Sequence, residues 1–306
     1  MWKNPVNNKI VVGAIGSVLL MSAIFMYGSF RFYQFYSEKQ EQQTASRTNG
    51  QRTPDYFKDI AIQAQSAYVI DLNTGKVLYK KNETVPLPLA SITKTMTALV
   101  AEEHGHHGEK ITISQAALET DGESGLRQGE VWNLEKLLSF MLVSSSNDSA
   151  AAVAQAFPPF IDMMNTKAGE LGLESMSFKN ATGLDIDEAN DTGGYGSAED
   201  VAKLFEYSVK KHPELFDSTR YASQQFYSNI ASHKAENTND ALKRVPNSIA
   251  SKTGFTTKAG GNLAMIFDRG LNEPVILVVL GSTYDGRFSD IELLASSTLK
   301  TYNQSQ

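Results

Sequence analysis

The chain has 306 residues, enough for one large domain or two small ones, and its 41% apolar content can bury a sizeable core. A formal net charge of -6 with no basic block argues against nucleic acid as a partner. The absence of cysteine excludes disulfides, thiolate nucleophiles and cysteine metal sites together.

Residues 10–30 are an almost unbroken apolar run between Lys3 and Lys9 on one side and Arg31 on the other. A helix of about 20 such residues crosses the hydrocarbon layer. A cleaved signal peptide would have a shorter core, about 7 to 15 residues, and a small-x-small site after it. Phe25, Met26 and Tyr27 stand where small residues would be needed, so an uncleaved single-pass transmembrane anchor within residues 1–36 is expected. The lysines before the span leave the N-terminal stub in the cytoplasm and the remainder extracytoplasmic. Residues 37–60 are polar up to Tyr56 and are expected to form a flexible tether, spanning on the order of 25 Å.

Residues 61–306 are expected to form the folded domain. The β-prone runs 66–70 and 77–79 are joined through Asn73 and Gly75, as in a hairpin. The chain then passes Pro86 and Pro88 into Leu-Ala-Ser-Ile-Thr-Lys-Thr-Met-Thr, residues 89–97. On a helix, Ser91 and Lys94 share one face, the layout of a nucleophile beside its base. Ile92, Met96, Leu99 and Val100 recur at helical spacing, and the pattern stops at His104-Gly105. Ser91 therefore stands near the start of a buried helix, where unpaired N–H groups and the helix dipole favour an oxyanion. Ser208 with Lys211 and Ser297 with Lys300 repeat the spacing late in helical patterns, where an exposed face is expected.

His104, His106 and His107 lie beside Glu102 and Glu103 and invite a metal reading. A Gly-punctuated loop after a helix end lacks fixed ligands, so a solvated turn is expected, with no metal and no cofactor. Helices are expected over 133–143, capped by Asn133, and over 149–156, 160–171 and 197–207. The first two flank a polar connection that contains Ser145-x-Asn147. Strand character returns at 248–253, 262–267 and 275–280, and residues 290–302 close the chain as a helix. The fold class is α+β, with an antiparallel sheet assembled from both ends of the chain and a helical insertion over about 95–235.

Lys252-Thr253-Gly254 ends the first late strand, where a lysine alone would suggest edge protection. Together, Ser91-x-x-Lys94, Ser145-x-Asn147 and Lys252-Thr253-Gly254 are the ordered trio carried by penicillin-binding proteins and class A β-lactamases. Around it, Asp71 with Thr74-Gly75-Lys76, Met164-Asn165 with Leu171-Gly172, Phe178 with Asn180 and Gly183-Leu184, and Ala259-Gly260 extend the likeness. The chain from about Ala61 onwards resembles the low-molecular-mass penicillin-binding proteins, the serine D-alanyl-D-alanine carboxypeptidases.

That resemblance implies a β-lactamase/DD-peptidase-like fold in a bacterial cell-membrane protein acting on peptidoglycan stem peptides that end in D-Ala-D-Ala, with β-lactams as covalent inhibitors. Ser91 would be the acyl-ester nucleophile and Lys94 its general base, neutral through burial and the nearby charge of Lys252. Ser145 would relay the proton to the leaving amine and Asn147 would orient the substrate amide. Lys252 and Thr253 would hold the substrate carboxylate, Gly254 would admit its backbone, and the N–H groups of Ser91 and Phe255 would form the oxyanion hole. Many members carry a second β-rich domain and a C-terminal amphipathic anchor; here attachment is expected at the N-terminus, and Pro88 stands three residues before the nucleophile instead of two.

Three rivals keep parts of this picture. A β-lactamase would need a Glu and a positioned water for deacylation, and Glu174 and Glu188 lack the accompanying Asn. A non-catalytic module binding penicillin or cell wall would signal through a stub too short to fold. A DD-endopeptidase would keep the chemistry and cut cross-links.

Overall fold

A computed structural model describes residues 55–122, 124–186 and 191–303. The expected anchor, most of the tether and Glu188 lie outside the described residues, among which no helix is long and apolar enough to cross a membrane. The chain is already packed at Phe57, within the segment assigned to the tether: its ring stacks on Tyr79 with centroids 5.6 Å apart. One aromatic residue has enough apolar surface to draw its neighbours onto the domain.

The hairpin of β1 (Ser66–Asp71) and β2 (Val77–Lys81) leads into helix α1 (Thr93–His104). Next come α2 (Leu134–Ser144), α3 (Asn147–Ala156), α4 (Phe160–Glu170) and α5 (Ala198–Lys211). The strands β3 (Ser248–Thr256), β4 (Gly260–Asp268) and β5 (Pro274–Ser282) follow, and α6 (Gly286–Asn303) ends the fold. The five strands form an antiparallel sheet in the order β3-β4-β5-β1-β2, so β1, from the start of the domain, pairs with β5 near its end.

Alternation along the central strands divides the interior in two. Leu263, Met265 and Phe267 of β4, with Val275, Leu277 and Val279 of β5, pack with Phe288, Ile291 and Leu294 of α6. Ala264, Ile266, Ile276, Val278 and Leu280 face the helical side with Met96 and Leu99 of α1. Residues 275–280 form one continuous apolar run because each face of the sheet covers a core.

The helical side is fixed by local signals. Asn133 caps α2, its side chain accepting from Lys136 N. α3 begins at Asn147, two residues before the apolar pattern suggests, because Ser146 caps it by accepting from Ser149 N. The faces expected at Ser208 and Ser297 are corrected: both serines are buried, at 0% and 4% exposure. Ser208 Oγ is satisfied by donating to Leu204 O, one turn back, at 2.7 Å.

Candidate active site

The nucleophile candidate sits on a bent entry. Ala90 has φ of +47°, unusual for a residue with a Cβ, and Ala90–Ile92 form a 3-10 turn that runs directly into α1. Asn262 of β4 staples this entry to the sheet by donating from Nδ2 to Pro88 O and Leu89 O, at 2.9 and 3.0 Å. Its Oδ1 accepts from Gly281 N.

Lys94 lies in the first turn of α1 and is 0% exposed. Its Nζ is 2.8 Å from Ser91 Oγ, 2.6 Å from Asn147 Oδ1 and 2.7 Å from Thr182 O. Burial lowers its pKa to about 7, against 10.5 for an ordinary lysine. An ammonium would donate to all three oxygens. The neutral amine keeps two N–H bonds, to Asn147 and Thr182, and turns its lone pair on the Ser91 hydroxyl. Burial accounts for the Lys94 shift without the expected help from Lys252. It is Lys252 that is held well below the usual lysine range, by burial first and then by the charges of Lys94 and Arg287.

Thr182 O is aimed by a turn. Asn180 Oδ1 accepts from Thr182 N, Thr182 Oγ1 and Gly183 N, closing the loop on itself. Gly183 has φ of +80°, and a Cβ there would lie 1.9 Å from Ala90 O. This loop therefore presses directly on the nucleophile's turn, and only glycine fits at the contact.

Ser145 and Asn147 reach the two lysines separately. Ser145 ends α2 in the left-handed conformation, φ 60° and ψ 30°, and its Oγ accepts from Lys252 Nζ at 2.9 Å. Asn147 opens α3, accepts from Lys94 and donates from Nδ2 to Asp121 O at 2.6 Å. Ser146 between them is occupied as the helix cap.

Lys252, Thr253 and Gly254 lie on β3, an edge strand. Lys252 is 1% exposed and points to Ser145, so it is no solvent-facing guard of that edge. Thr253 Oγ1 is hydrogen-bonded to Thr238 Oγ1. Gly254 packs so closely on the nucleophile's turn that a Cβ would lie 2.8 Å from Leu89 O and 3.2 Å from Ser91 N. Phe255 follows at once, which brings its segment beside Ser91; its ring is 46% exposed and meets Tyr284 edge-on, centroids 4.9 Å apart.

The sequence-predicted residues thus converge from α1, the α2–α3 connection and β3. Asn262, Thr182, Thr238 and Arg287 escaped sequence reasoning. Arg287, 4% exposed on α6, donates from Nη1 to Gly254 O at 2.8 Å and lies under the Tyr284 ring. A lone arginine at a helix start carries no signal, whereas Asn180 with Gly183 did stand out as a motif. Among the described residues, no carboxylate is salt-bridged to Lys94, Lys252 or Arg287. The site gathers three buried basic side chains, each with a pKa lowered by burial. The histidines after α1 are elsewhere: His106 pairs with Glu109, and His107 Nδ1 lies 3.1 Å from Glu135, all near solvent.

The chain matches the D-alanyl-D-alanine carboxypeptidase family over residues 49–283, a stretch that contains all three motifs. It is 32% identical over 248 residues to D-alanyl-D-alanine carboxypeptidase DacF of Bacillus subtilis, covering 78% of this chain and 61% of that one. It is 33% identical over 231 residues to a D-alanyl-D-alanine endopeptidase of Escherichia coli, covering 72% and 71%. The ampicillin-bound structure of penicillin-binding protein D2 from Listeria monocytogenes superposes with a TM-score of 0.69 at 28% identity, over 78% of this chain and 98% of the other. Because the match runs through every motif that the fold draws together, the chain belongs to the D-alanyl-D-alanine carboxypeptidase family.

Proposed function

We propose that the protein is a serine peptidase that removes the terminal D-Ala from peptidoglycan stem peptides through an acyl-enzyme on Ser91. One observation carries this reading: the buried Lys94 amine, with two hydrogens committed to Asn147 and Thr182, presents its remaining valence to Ser91 Oγ at 2.8 Å. As Ser91 Oγ bonds to the penultimate D-Ala carbonyl carbon, Lys94 takes the hydroxyl proton. The N–H groups of Ser91 and Phe255 meet the oxyanion, aided by the positive end of α1. Ser145 Oγ accepts from Lys252, which leaves its own hydrogen for the departing nitrogen; the proton held by Lys94 then replaces it on Ser145, so both groups are restored as the amine leaves. The carbon–nitrogen bond breaks, free D-Ala departs, and water later hydrolyses the ester.

The substrate ends in a carboxylate, and three groups answer it. Lys252 is an amine whose protonation an incoming carboxylate would favour, Thr253 offers a hydroxyl held by Thr238, and Arg287 a guanidinium behind Gly254. A β-lactam carries a carboxylate beside its reactive amide as well, and the Listeria protein above was solved with ampicillin bound. Residues 10–30 support membrane anchoring with the domain outside, where the polymer is, on a tether that ends before Phe57.

A second reading, cleavage of D-Ala-diaminopimelate cross-links, is supported by the endopeptidase relative, 33% identical over 231 residues. The chemistry is the same and the leaving group is larger. Mass spectrometry after incubation with a defined pentapeptide and a cross-linked dimer decides: loss of one alanine from the pentapeptide with an intact dimer supports the carboxypeptidase. Dimer cleavage alone supports the endopeptidase. Neither product, from protein that still forms a stable penicillin adduct, removes both.

A further inference from the structure

The opposite end of α1 from Lys94 carries a second group of side chains that the proposed reaction does not use. Glu102 is near the C-terminal end of α1, His212 lies between α5 and the helical turn Pro213–Phe216, and Glu214 is in that turn. One ligand-competent atom from each lies within 4.8 Å of the other two. Glu102 Oε2 and His212 Nε2 are both buried and lack a hydrogen-bond partner.

The neighbouring Glu103 shows what a satisfied carboxylate looks like here. Its Oε2 is 2.8 Å from Lys167 Nζ, and its Oε1 accepts from Tyr207 OH. It stands 3.8 Å from His212 Nε2, too far for a hydrogen bond. His212 Nδ1 is 3.5 Å from Glu214 Oε1. Lys167 thus neutralises Glu103, while Glu102 keeps a buried lone pair with no donor facing it.

We propose that Glu102, His212 and Glu214 form a binding site for a divalent transition-metal ion, tying the end of α1 to the corner after α5. One imidazole nitrogen and two carboxylate oxygens are a donor set suited to zinc, and poorly suited to magnesium or calcium, which favour oxygen alone. The two carboxylates balance the ion's charge. Bonds of about 2.1 Å would require the three atoms to draw together to roughly 3.4 Å. Glu214, whose side chain is 58% exposed, has the freedom to close that distance. Pro213 fixes the backbone between the His and the Glu. The role is structural, bracing from its far end the helix that follows Ser91 and bears Lys94.

The test is zinc titration of the chelator-stripped full chain by calorimetry, with thermal melting of the same samples and magnesium as a control. The expected result is one zinc per chain, a raised melting temperature and no response to magnesium. Glu214→Gln and His212→Gln should each weaken zinc binding at least about tenfold, while far-ultraviolet circular dichroism confirms folding. Glu214 is exposed enough that its replacement leaves the packing intact. His106→Ala with His107→Ala should bind zinc as the parent does. Absence of saturable zinc binding, or binding lost with His106 and His107 but retained in both His212→Gln and Glu214→Gln, overturns the site and leaves His212 as an ion-pair partner of these glutamates.

Discussion

Ser91 with Lys94 and Ser208 with Lys211 share one spacing but have opposite burial. At the first pair the lysine is fully buried and the serine is partly open; at the second the serine is fully buried and the lysine is exposed. Ser297 and Lys300 repeat the second pattern. The helix end explains much of this. A lysine in a last turn is stabilised as an ammonium by the C-terminal carbonyls and can remain in water. A lysine in a first turn faces the positive end of the dipole, which acts in the same direction as burial and favours the neutral amine. The difference teaches that Ser-x-x-Lys is arranged as a nucleophile beside a base, as proposed for Ser91 and Lys94, where the lysine and not the serine is removed from solvent.

The strongest way to break this comparison is to exchange the serines' fates. Ser91→Ala should lower acylation by a fluorescent penicillin by at least about 10³-fold, whereas Ser208→Ala, which removes only a bond to Leu204 O, should label at the parental rate. Loss of labelling in a folded Ser208→Ala protein would end the argument. Next, Lys94→Gln keeps a donor but no base and should slow acylation about 10²- to 10⁴-fold. Lys211→Gln should leave the rate unchanged in the same time course.

Gly183→Ala sharpens the comparison from outside the motif, because its new Cβ would strike Ala90 O and displace the loop that holds Lys94 through Thr182 O. A cost of about 2 kcal/mol or more in stability is expected, read as a lower melting temperature, with slower acylation. The mildest probe is pH. Only neutral Lys94 can accept the Ser91 proton, and its pKa is lowered to about 7, so the base is available above that value and lost below it. The acylation rate should fall about tenfold for each pH unit below about 7. A rate that continued to climb from pH 8 to 10 would indicate a lysine with an ordinary pKa.

Much of the fold is written locally. The β-prone runs of β4 and β5, the Asn133 cap and the stop at His104-Gly105 depend on neighbours a few residues away, and the structure has these features where such rules place them. The cap at Ser146 is equally local but was hidden by the polar run around it, which is why α3 starts earlier than its apolar pattern. The trio was legible for a different reason: each piece is short and contiguous, and their order along the chain adds to their chemistry.

By itself, then, the sequence determined the types of element, a sheet drawn from both ends of the chain and which short segments carry reactive groups, because periodicity, caps and turns act over a few residues. Only the tertiary structure decided the state of those groups. Burial among segments that meet in three dimensions lowers the Lys94 pKa to about 7, and one of its partners, Thr182 O, lies 88 residues away. Arg287 reaches Gly254 O across 33 residues, and Asn262 holds Leu89 O across 173. Desolvation and electrostatic fields depend on distance through space, and the spacing of letters in a chain does not record it.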